Sequence, residues 1–171
     1  MVKNGEKWAI DRGIEKKMTE VSQRQKPCIG EFTKQLDEKR RLTIPAKWRF
    51  DGDNADDAYI AIATNYGSIE VLPPARAQAL MENISRISIA NPAKRKALAR
   101  FLQDSCTFGC DKQGRVMLSE SILKRAGIGK DVYMVGMGTS FELWDPKRRE
   151  SWMNEEDPSV DDIFIAEDLG L

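Results

Sequence analysis

Two short segments carry the side chains best suited to recognising a negatively charged partner. Each has an aspartate four positions before an arginine, namely Asp37 and Arg41, then Asp111 and Arg115. The residues between them add further donors: Lys39, Arg40, Lys112 and Gln113. Arginine can donate two hydrogen bonds to guanine O6 and N7, and lysine brings a charge to a phosphate. Because a carboxylate repels phosphate, the aspartates are predicted to bond turn amides and orient the arginines.

The two segments belong to an internal repeat. Residues 36–44 recur as 110–118, with Asp111 lying 74 positions after Asp37. The same offset relates 57–60 to 131–134, and 69–72 matches 141–144. Three matched blocks in one order indicate a duplicated unit. A single charged turn is usually only solvated, but two basic turns at equivalent places favour a shared role in contacting nucleic acid.

Each repeat is predicted to form a strand, a turn, a strand, a short helix and two further strands. The helix of the first repeat starts at Pro45 and runs through position 48. In the second repeat Ser119 can cap a helix over 120–126, and Gly127 suits its termination. A last helix is predicted over 146–152.

Two helices are predicted between the repeats, over 74–87 and 93–102. The first has apolar residues at the spacing of one helical face: Ala77, Leu80, Met81, Ile84 and Ile87. Asn91 and Pro92 suit the start of the second. Its cations Lys94, Arg95, Lys96 and Arg100 are interpreted as a solvated face, the alternative being a second phosphate contact. Trp48, Trp144 and Trp152 are predicted to be core or interface residues.

Composition argues against an enzyme. The sequence has no histidine, which removes the commonest general base and metal ligand. Its three cysteines, Cys28, Cys106 and Cys110, lack the spacing of a zinc site and are interpreted as structural. It contains neither a Walker loop nor a dinucleotide-binding glycine motif. We therefore predict no catalytic residue, cofactor or metal. The lack of an apolar stretch of about 20 residues predicts a cytoplasmic protein.

The net charge of zero conceals a segregation of charge. Residues 1–29 carry 7 basic and 4 acidic side chains, and residues 30–152 carry 20 and 16. Residues 153–171 carry 7 acidic side chains and no basic one. The basic body can attract phosphates locally despite the neutral total. The acidic tail is predicted to be disordered; alternatively it mimics DNA and folds back on the basic turns, or docks on a partner.

These segments resemble the MraZ family, double-repeat relatives of the AbrB and SpoVT transition regulators. The resemblance covers roughly residues 30–152. It is carried by Gly30-Glu31-Phe32, by the first turn with Leu-x-Ile-Pro at 42–45, and by Asp-Lys-Gln-Gly-Arg at 111–115. The resemblance implies an α+β fold, a swapped-hairpin β-barrel with short helices in which two repeats interlock. It also implies a ring-like homo-oligomer that binds promoter direct repeats of the division and cell-wall gene cluster, in the nucleoid.

Carried over by position, Lys39, Arg41, Gln113 and Arg115 match the basic turn of that family, with Arg40 and Lys112 as additional donors. The predicted organisation comprises a flexible extension over 1–28, repeats over 30–74 and 105–152, inter-repeat helices over 75–104, and the tail over 153–171. Arg40 departs from the pattern because it replaces the glycine found at position 114, so either the first turn has another backbone or function outweighs a strain of about 1–2 kcal/mol.

The sequence thus favours a DNA-binding transcriptional regulator. The competing interpretation is an oligomeric interaction protein, antitoxin-like or a scaffold, in which an end segment grips another protein. The two hypotheses differ in which region is indispensable. A regulator depends on the basic turns, and an interaction module depends on an end segment.

Overall fold

The computed structural model describes residues 26–50, 58–88 and 90–155. Eight strands are present in this part of the chain: β1 Glu31–Gln35, β2 Arg41–Thr43, β3 Tyr59–Ala63, β4 Ile69–Leu72, β5 Ser105–Phe108, β6 Arg115–Met117, β7 Asp131–Gly136 and β8 Phe141–Trp144. The α-helices are α1 Pro74–Ser85, α2 Pro92–Gln103, α3 Glu120–Ala126 and α4 Pro146–Asn154. A 3-10 helix spans Ala46–Trp48. The predictions for the amino-terminal extension and the acidic tail lie mostly outside the described residues.

Strands of both repeats are intermixed in the same two sheets. Six strands form an antiparallel sheet in the order β1-β7-β8-β4-β3-β5, and β2 pairs with β6 in a separate ribbon. Strand β1 of the first repeat therefore pairs with β7 of the second, with Phe32 opposite Met134. Strand β5 of the second repeat pairs in turn with β3 of the first. Each repeat therefore contributes strands that pair with strands of the other repeat in one sheet.

The prediction of a barrel is wrong in one respect, because the large sheet is not closed. Within the described residues, β1 and β5 form its two edges and no pairing joins them. Strands β2 and β6 have three residues each and pair only with one another, so they do not bridge those edges. Over residues 26–50, 58–88 and 90–155 the architecture is mixed α+β, with an open antiparallel sheet, a short ribbon and four α-helices.

The larger of two hydrophobic clusters in the described residues contains side chains of both the ribbon and the large sheet. Leu42 of β2 and Val116 of β6 are buried against residues of the sheet such as Met134 and Leu143. Trp48 and Trp144 are fully buried, as predicted, whereas Trp152 is 39% exposed. Trp152 instead stacks on Tyr66 at the surface, with ring centroids 5.7 Å apart. Cys28, at the end of the predicted extension, is also buried and exchanges two backbone hydrogen bonds with Gly138.

The helices follow their local capping signals. The Asn91 side chain accepts hydrogen bonds from the backbone amides of Ala93 and Lys94. Ser119 accepts one from the amide of Ile122, and Gly127 ends α3 with a left-handed φ of 68°. The prediction of α3 is confirmed at both ends, while α1 stops two residues short of its predicted end because Arg86 caps it.

The inter-repeat helices are less buried than an amphipathic pattern suggests. Pro74 and Ala77 are the buried residues of α1, and Met81 is 52% exposed although it lies on the predicted apolar face. Helix α2 has no buried residue. No described helix is both long and apolar enough to span a bilayer.

Candidate nucleic-acid interface

The first basic turn is fixed by one aspartate. Asp37 Oδ1 accepts hydrogen bonds from the backbone amides of Lys39 and Arg41, both at 2.9 Å. Its Oδ2 accepts a third from Arg41 Nε at 2.6 Å. The backbone closes the same turn, since the Arg40 amide donates to the Asp37 carbonyl at 2.9 Å. Both the turn and the start of the arginine side chain are therefore held in place.

The second turn repeats this arrangement. Asp111 Oδ1 accepts from the amides of Gln113 and Arg115 at 2.9 Å, and its Oδ2 accepts from Arg115 Nε at 2.7 Å. The Gln113 side-chain oxygen also accepts from Arg115 Nη2 at 3.2 Å. In both turns the carboxylate holds Nε, and the first arginine side chain is 31% exposed and the second 35%.

Hydrogen bonding also lowers the pKa of both aspartates below its ordinary value. The largest cause is the bond from the backbone amide of the arginine, Arg41 for Asp37 and Arg115 for Asp111, and the arginine side chains add to it. Lys112 lies in the second turn as well, but it takes no part in these bonds to Asp111.

We expect both carboxyl groups to titrate below the usual aspartate pKa of about 3.9. A folded-state pKa below the unfolded value means that the ionised groups stabilise the turns above the unfolded pKa. That stabilisation is lost as the pH falls through the folded pKa. Carbon-detected NMR of the two side chains measures the midpoints, and Asp37→Asn and Asp111→Asn assign the signals. A midpoint at or above 4 for both groups would contradict the hydrogen-bond geometry.

The β2–β6 register places the two arginines on one face. Arg41 lies opposite Met117, and Thr43 lies opposite Arg115. Side chains alternate along a strand, so these four residues share the face opposite to buried Leu42 and Val116. Met117 is 62% exposed, so this face points outward. Pairing between the repeats brings Arg41 and Arg115 together, and it adds Thr43 and Met117, which the sequence did not single out.

The turns lie at opposite ends of this ribbon. The Arg40 carbonyl accepts from the Leu118 amide at 3.2 Å, and the Gly114 carbonyl accepts from the Ile44 amide at 2.9 Å. The four residue-to-residue steps of strand from position 40 to position 44 span roughly 13 Å. That distance is similar to the width of the DNA major groove, about 12 Å. The strands flanking the first turn pair with different partners, β1 with β7 and β2 with β6, and so do those flanking the second turn, β5 with β3 and β6 with β2.

Position 40 adopts the same left-handed backbone as its counterpart. Arg40 has φ 58° and Gly114 has φ 76°. The idea that Arg40 imposes a different backbone on the first turn is therefore wrong, and the turn accepts the strain of about 1–2 kcal/mol. Arg40 Nη1 lies 3.5 Å from a Glu120 carboxylate oxygen, but both side chains are exposed, so this pair offsets little of it.

Arg49 supports the second turn, and sequence patterns gave no sign of it. Its guanidinium lies against Gly114, where an added Cβ would collide with it. Its Nε donates to the Ile44 carbonyl at 2.9 Å, and the Ile44 amide donates to the Gly114 carbonyl. Gly114 is thus required both by its positive φ and by the approach of Arg49.

The described residues contain no group of three or more histidine, cysteine, aspartate or glutamate side chains arranged to hold a metal ion. The cations of α2 lie elsewhere than the ribbon, on an exposed helix that packs on β5. The basic residues of the ribbon and its two turns are therefore the candidates for contacting nucleic acid.

Comparison with known proteins identifies the family. Residues 102–162 match the family model described as "MraZ protein, putative antitoxin-like". A protein of Clostridium acetobutylicum named "Transcriptional regulator MraZ" is 31% identical over 142 residues, which cover 82% of this chain and 95% of that protein. The chain belongs to the MraZ family. A protein of the same name from Limosilactobacillus fermentum is 31% identical over 135 residues, which cover 79% of this chain and 90% of that protein. Another, from Bifidobacterium longum, is 30% identical over 135 residues, which cover 79% of this chain and 88% of that protein.

The MraZ relatives extend over both repeats, not only over the segment matched by the family model. An alignment of 142 residues cannot be accommodated by either half of this chain. The similarity to this relative therefore extends over both strands of the ribbon, β2 from one repeat and β6 from the other.

Proposed function

We propose that this chain is a non-enzymatic, DNA-binding transcriptional regulator that contacts DNA with the outward face of the β2–β6 ribbon and its two turns. The observation that carries the proposal is the register that puts Arg41 and Arg115 on one exposed face, each held at Nε by an aspartate. An arginine held at Nε still presents its terminal nitrogens, which suit the O6 and N7 atoms of guanine. The name "Transcriptional regulator MraZ" of the relatives supports the same function.

In this proposal the surrounding donors contact phosphates. Lys39, Arg40 and Lys112 are the cations of the turns, and Gln113 can donate to a base edge or a phosphate. Met117 and the methyl group of Thr43 can contact a thymine methyl group. Each aspartate carboxylate is paired with the arginine of its own turn, which offsets part of its repulsion of phosphate.

The finer features follow from the family resemblance and are proposed with it. The interleaved pairings suit a swapped-hairpin arrangement of AbrB-like repeats over 30–74 and 105–152, joined by the helices of 75–104. The DNA target would be promoter direct repeats of the division and cell-wall gene cluster, with the protein cytoplasmic and associated with the nucleoid. Several subunits of a ring would then engage consecutive repeats and gain affinity through effective concentration.

A salt-dependent titration on DNA from the upstream region of the chain's own gene tests this function. Affinity should fall as salt rises, with a logarithmic slope of about −0.9 per neutralised phosphate, and a scrambled DNA should bind more weakly. Equal affinity for both DNAs at every salt concentration would contradict sequence-specific regulation.

The second candidate function is an oligomeric protein-interaction module. The observation that favours it is the antitoxin-like description of the matched family model. Under this alternative the basic turns would be dispensable, and binding to another protein would depend on an end segment, 1–28 or 153–171. Loss of partner binding on substitution of an end segment, with turn variants unaffected, would favour this candidate.

We expect the purified chain to be a homo-oligomer. Strands β1 and β5 leave the edges of the described sheet unpaired, and α2 exposes apolar side chains such as Leu102. Exposed edges and apolar faces of this kind are usually covered by another subunit. Light scattering at micromolar concentration should give a mass that is a multiple of 19.4 kDa. A mass of one chain across that range would contradict the ring.

A further inference from the structure

An apolar groove lies between α1 and α2, away from the ribbon. Its volume is about 670 Å³, and its apolar lining is formed by Leu80, Ile84, Ile87, Leu98 and Phe101. Ile87 is 38% exposed and Phe101 is 39% exposed, so the groove opens to solvent. Contiguous apolar surface of this kind generally marks a place where something binds.

The rim of the groove is basic. Arg86 and Lys94 belong to its lining, and none of the described lining residues is acidic. Further cations of α2 lie close by in sequence: Arg95, Lys96 and Arg100. The groove therefore suits a segment with apolar side chains flanked by carboxylates.

The chain itself contains such a segment. Residues 161–168 read Asp-Asp-Ile-Phe-Ile-Ala-Glu-Asp, three large apolar residues between two pairs of acidic ones. We propose that residues 156–171 of the acidic tail dock into the α1–α2 groove of their own chain. Ile163, Phe164 and Ile165 would contact the apolar lining, and the flanking carboxylates would lie near Arg86 and Lys94.

A surface depression links the end of α4 with the groove. Trp152, two residues before that end, stacks on Tyr66 with ring centroids 5.7 Å apart. Tyr66 and Phe101 line one depression of about 590 Å³, and Phe101 also lines the groove. The chain from Glu155 to Phe164 can extend about 30 Å, at roughly 3.3–3.6 Å per residue. The tail therefore has an extended length of about 30 Å with which to follow the depression towards the groove.

The basic turns are a poorer site for the tail. The depression beside the first turn is lined by three acidic residues, Asp37, Glu38 and Glu120, and by three basic residues, Arg40, Lys124 and Lys130. An acidic segment meets repulsion there as well as attraction. The groove offers positive charge without acidic lining and more apolar surface, so it is the better match.

Photo-crosslinking of the full chain tests the docking. Phe164 is replaced by p-benzoylphenylalanine, which retains an aromatic side chain, and the crosslinked peptides are identified by mass spectrometry after irradiation. We expect crosslinks to α1 and α2 within a product that migrates as a single chain. Crosslinks to residues 37–41 or 111–115, a product of two chains, or no crosslink would each overturn the proposal. A product of two chains joined at the groove would mean that a second copy supplies the occupant.

Amide hydrogen exchange gives an independent readout in the full chain. A variant with Ile163→Ser, Phe164→Ser and Ile165→Ser keeps every charge but removes the apolar contacts. Exchange in α1 and α2 should be about fivefold faster than in the wild type, while exchange in β7 is unchanged. The matched control, Val160→Ser with Leu169→Ser, removes apolar residues on either side of the triplet and should leave α1 and α2 as protected as in the wild type. Equal exchange in the triple variant and the wild type would overturn the proposal. Because DNA plays no part in either measurement, failure here is distinct from failure of the proposed regulator function.

Discussion

Changing Arg41 or Arg115 to alanine is expected to weaken specific DNA binding by about 1–3 kcal/mol per engaged site, roughly five- to 150-fold. Each substitution removes the terminal nitrogens that would donate to a guanine. In a ring that engages several direct repeats the total loss should be larger. Stability should change by less than about 1 kcal/mol, because the arginine side chains are partly exposed and bond only to residues of their own turns. A fluorescence anisotropy titration on operator and scrambled DNA measures both affinity and specificity.

Two matched variants make this prediction specific. Arg41→Lys and Arg115→Lys keep the charge but cannot form the paired hydrogen bonds, so they should lose specificity while retaining affinity for scrambled DNA. Lys94→Ala with Lys96→Ala removes exposed charge from α2 and should lower affinity little and uniformly across sequences. If operator binding survives the arginine changes and the α2 changes abolish it, then α2 and not the ribbon contacts the DNA bases.

The two basic turns could be predicted from the sequence because the interactions that form them are local. Asp37 and Arg41 are only four residues apart, and the carboxylate bonds both the amide and the Nε of the arginine. The caps at Asn91 and Ser119 are local in the same sense, since their side chains bond amides two or three residues away. Such signals depend on a few neighbouring residues, so they can be recognised without the rest of the fold.

The outward face of the ribbon could not be predicted in this way. Arg41 and Arg115 share a face only because β2 pairs with β6 in one register, and a shift of one residue would turn a strand's side chains to the other face. The expectation that the repeats interlock came only from the family resemblance, and no local pattern of residues indicated it. Thr43, Met117 and Arg49 were missed for the same reason, because their roles depend on partners from the other repeat or from a turn distant in sequence.

The inter-repeat helices show a different limit. The apolar spacing in α1 correctly indicated a helix, but it did not indicate what covers its apolar face. Met81 is 52% exposed and α2 buries no residue, so the described chain covers this surface only in part. Trp152 was expected in the core or at an interface, and in the described chain it lies at the surface with its ring against those of Tyr66 and Trp144. A periodic pattern identifies an apolar face, whereas its burial depends on the packing of distant elements.

Replacing Trp48 with alanine is expected to destabilise the protein by about 3–5 kcal/mol. Trp48 is fully buried; it packs edge-on against Phe32 at a centroid distance of 5.0 Å, and its ring lies tilted by 33° against that of Phe141 at 5.3 Å. Its Nε1 donates to the Ile29 carbonyl at 3.2 Å. Alanine would leave a cavity and an unpaired carbonyl. Since domains of this size are stable by about 5–15 kcal/mol, urea denaturation should show a large fall in midpoint or loss of the folded state.

Variants of Trp48 also test whether the two repeats fold as one unit. Phe32 lies on β1 of the first repeat and Phe141 on β8 of the second, so Trp48 joins both halves in one core. Far-ultraviolet circular dichroism and tryptophan fluorescence should therefore report a single coincident transition in Trp48→Phe, which keeps an aromatic ring and is expected to destabilise the fold less than alanine does. Trp152→Ala is the control, because its ring is 39% exposed and its stacking contributes roughly 0.5–1.5 kcal/mol. Two separate transitions, or equal losses for Trp48→Ala and Trp152→Ala, would contradict a core shared between the repeats.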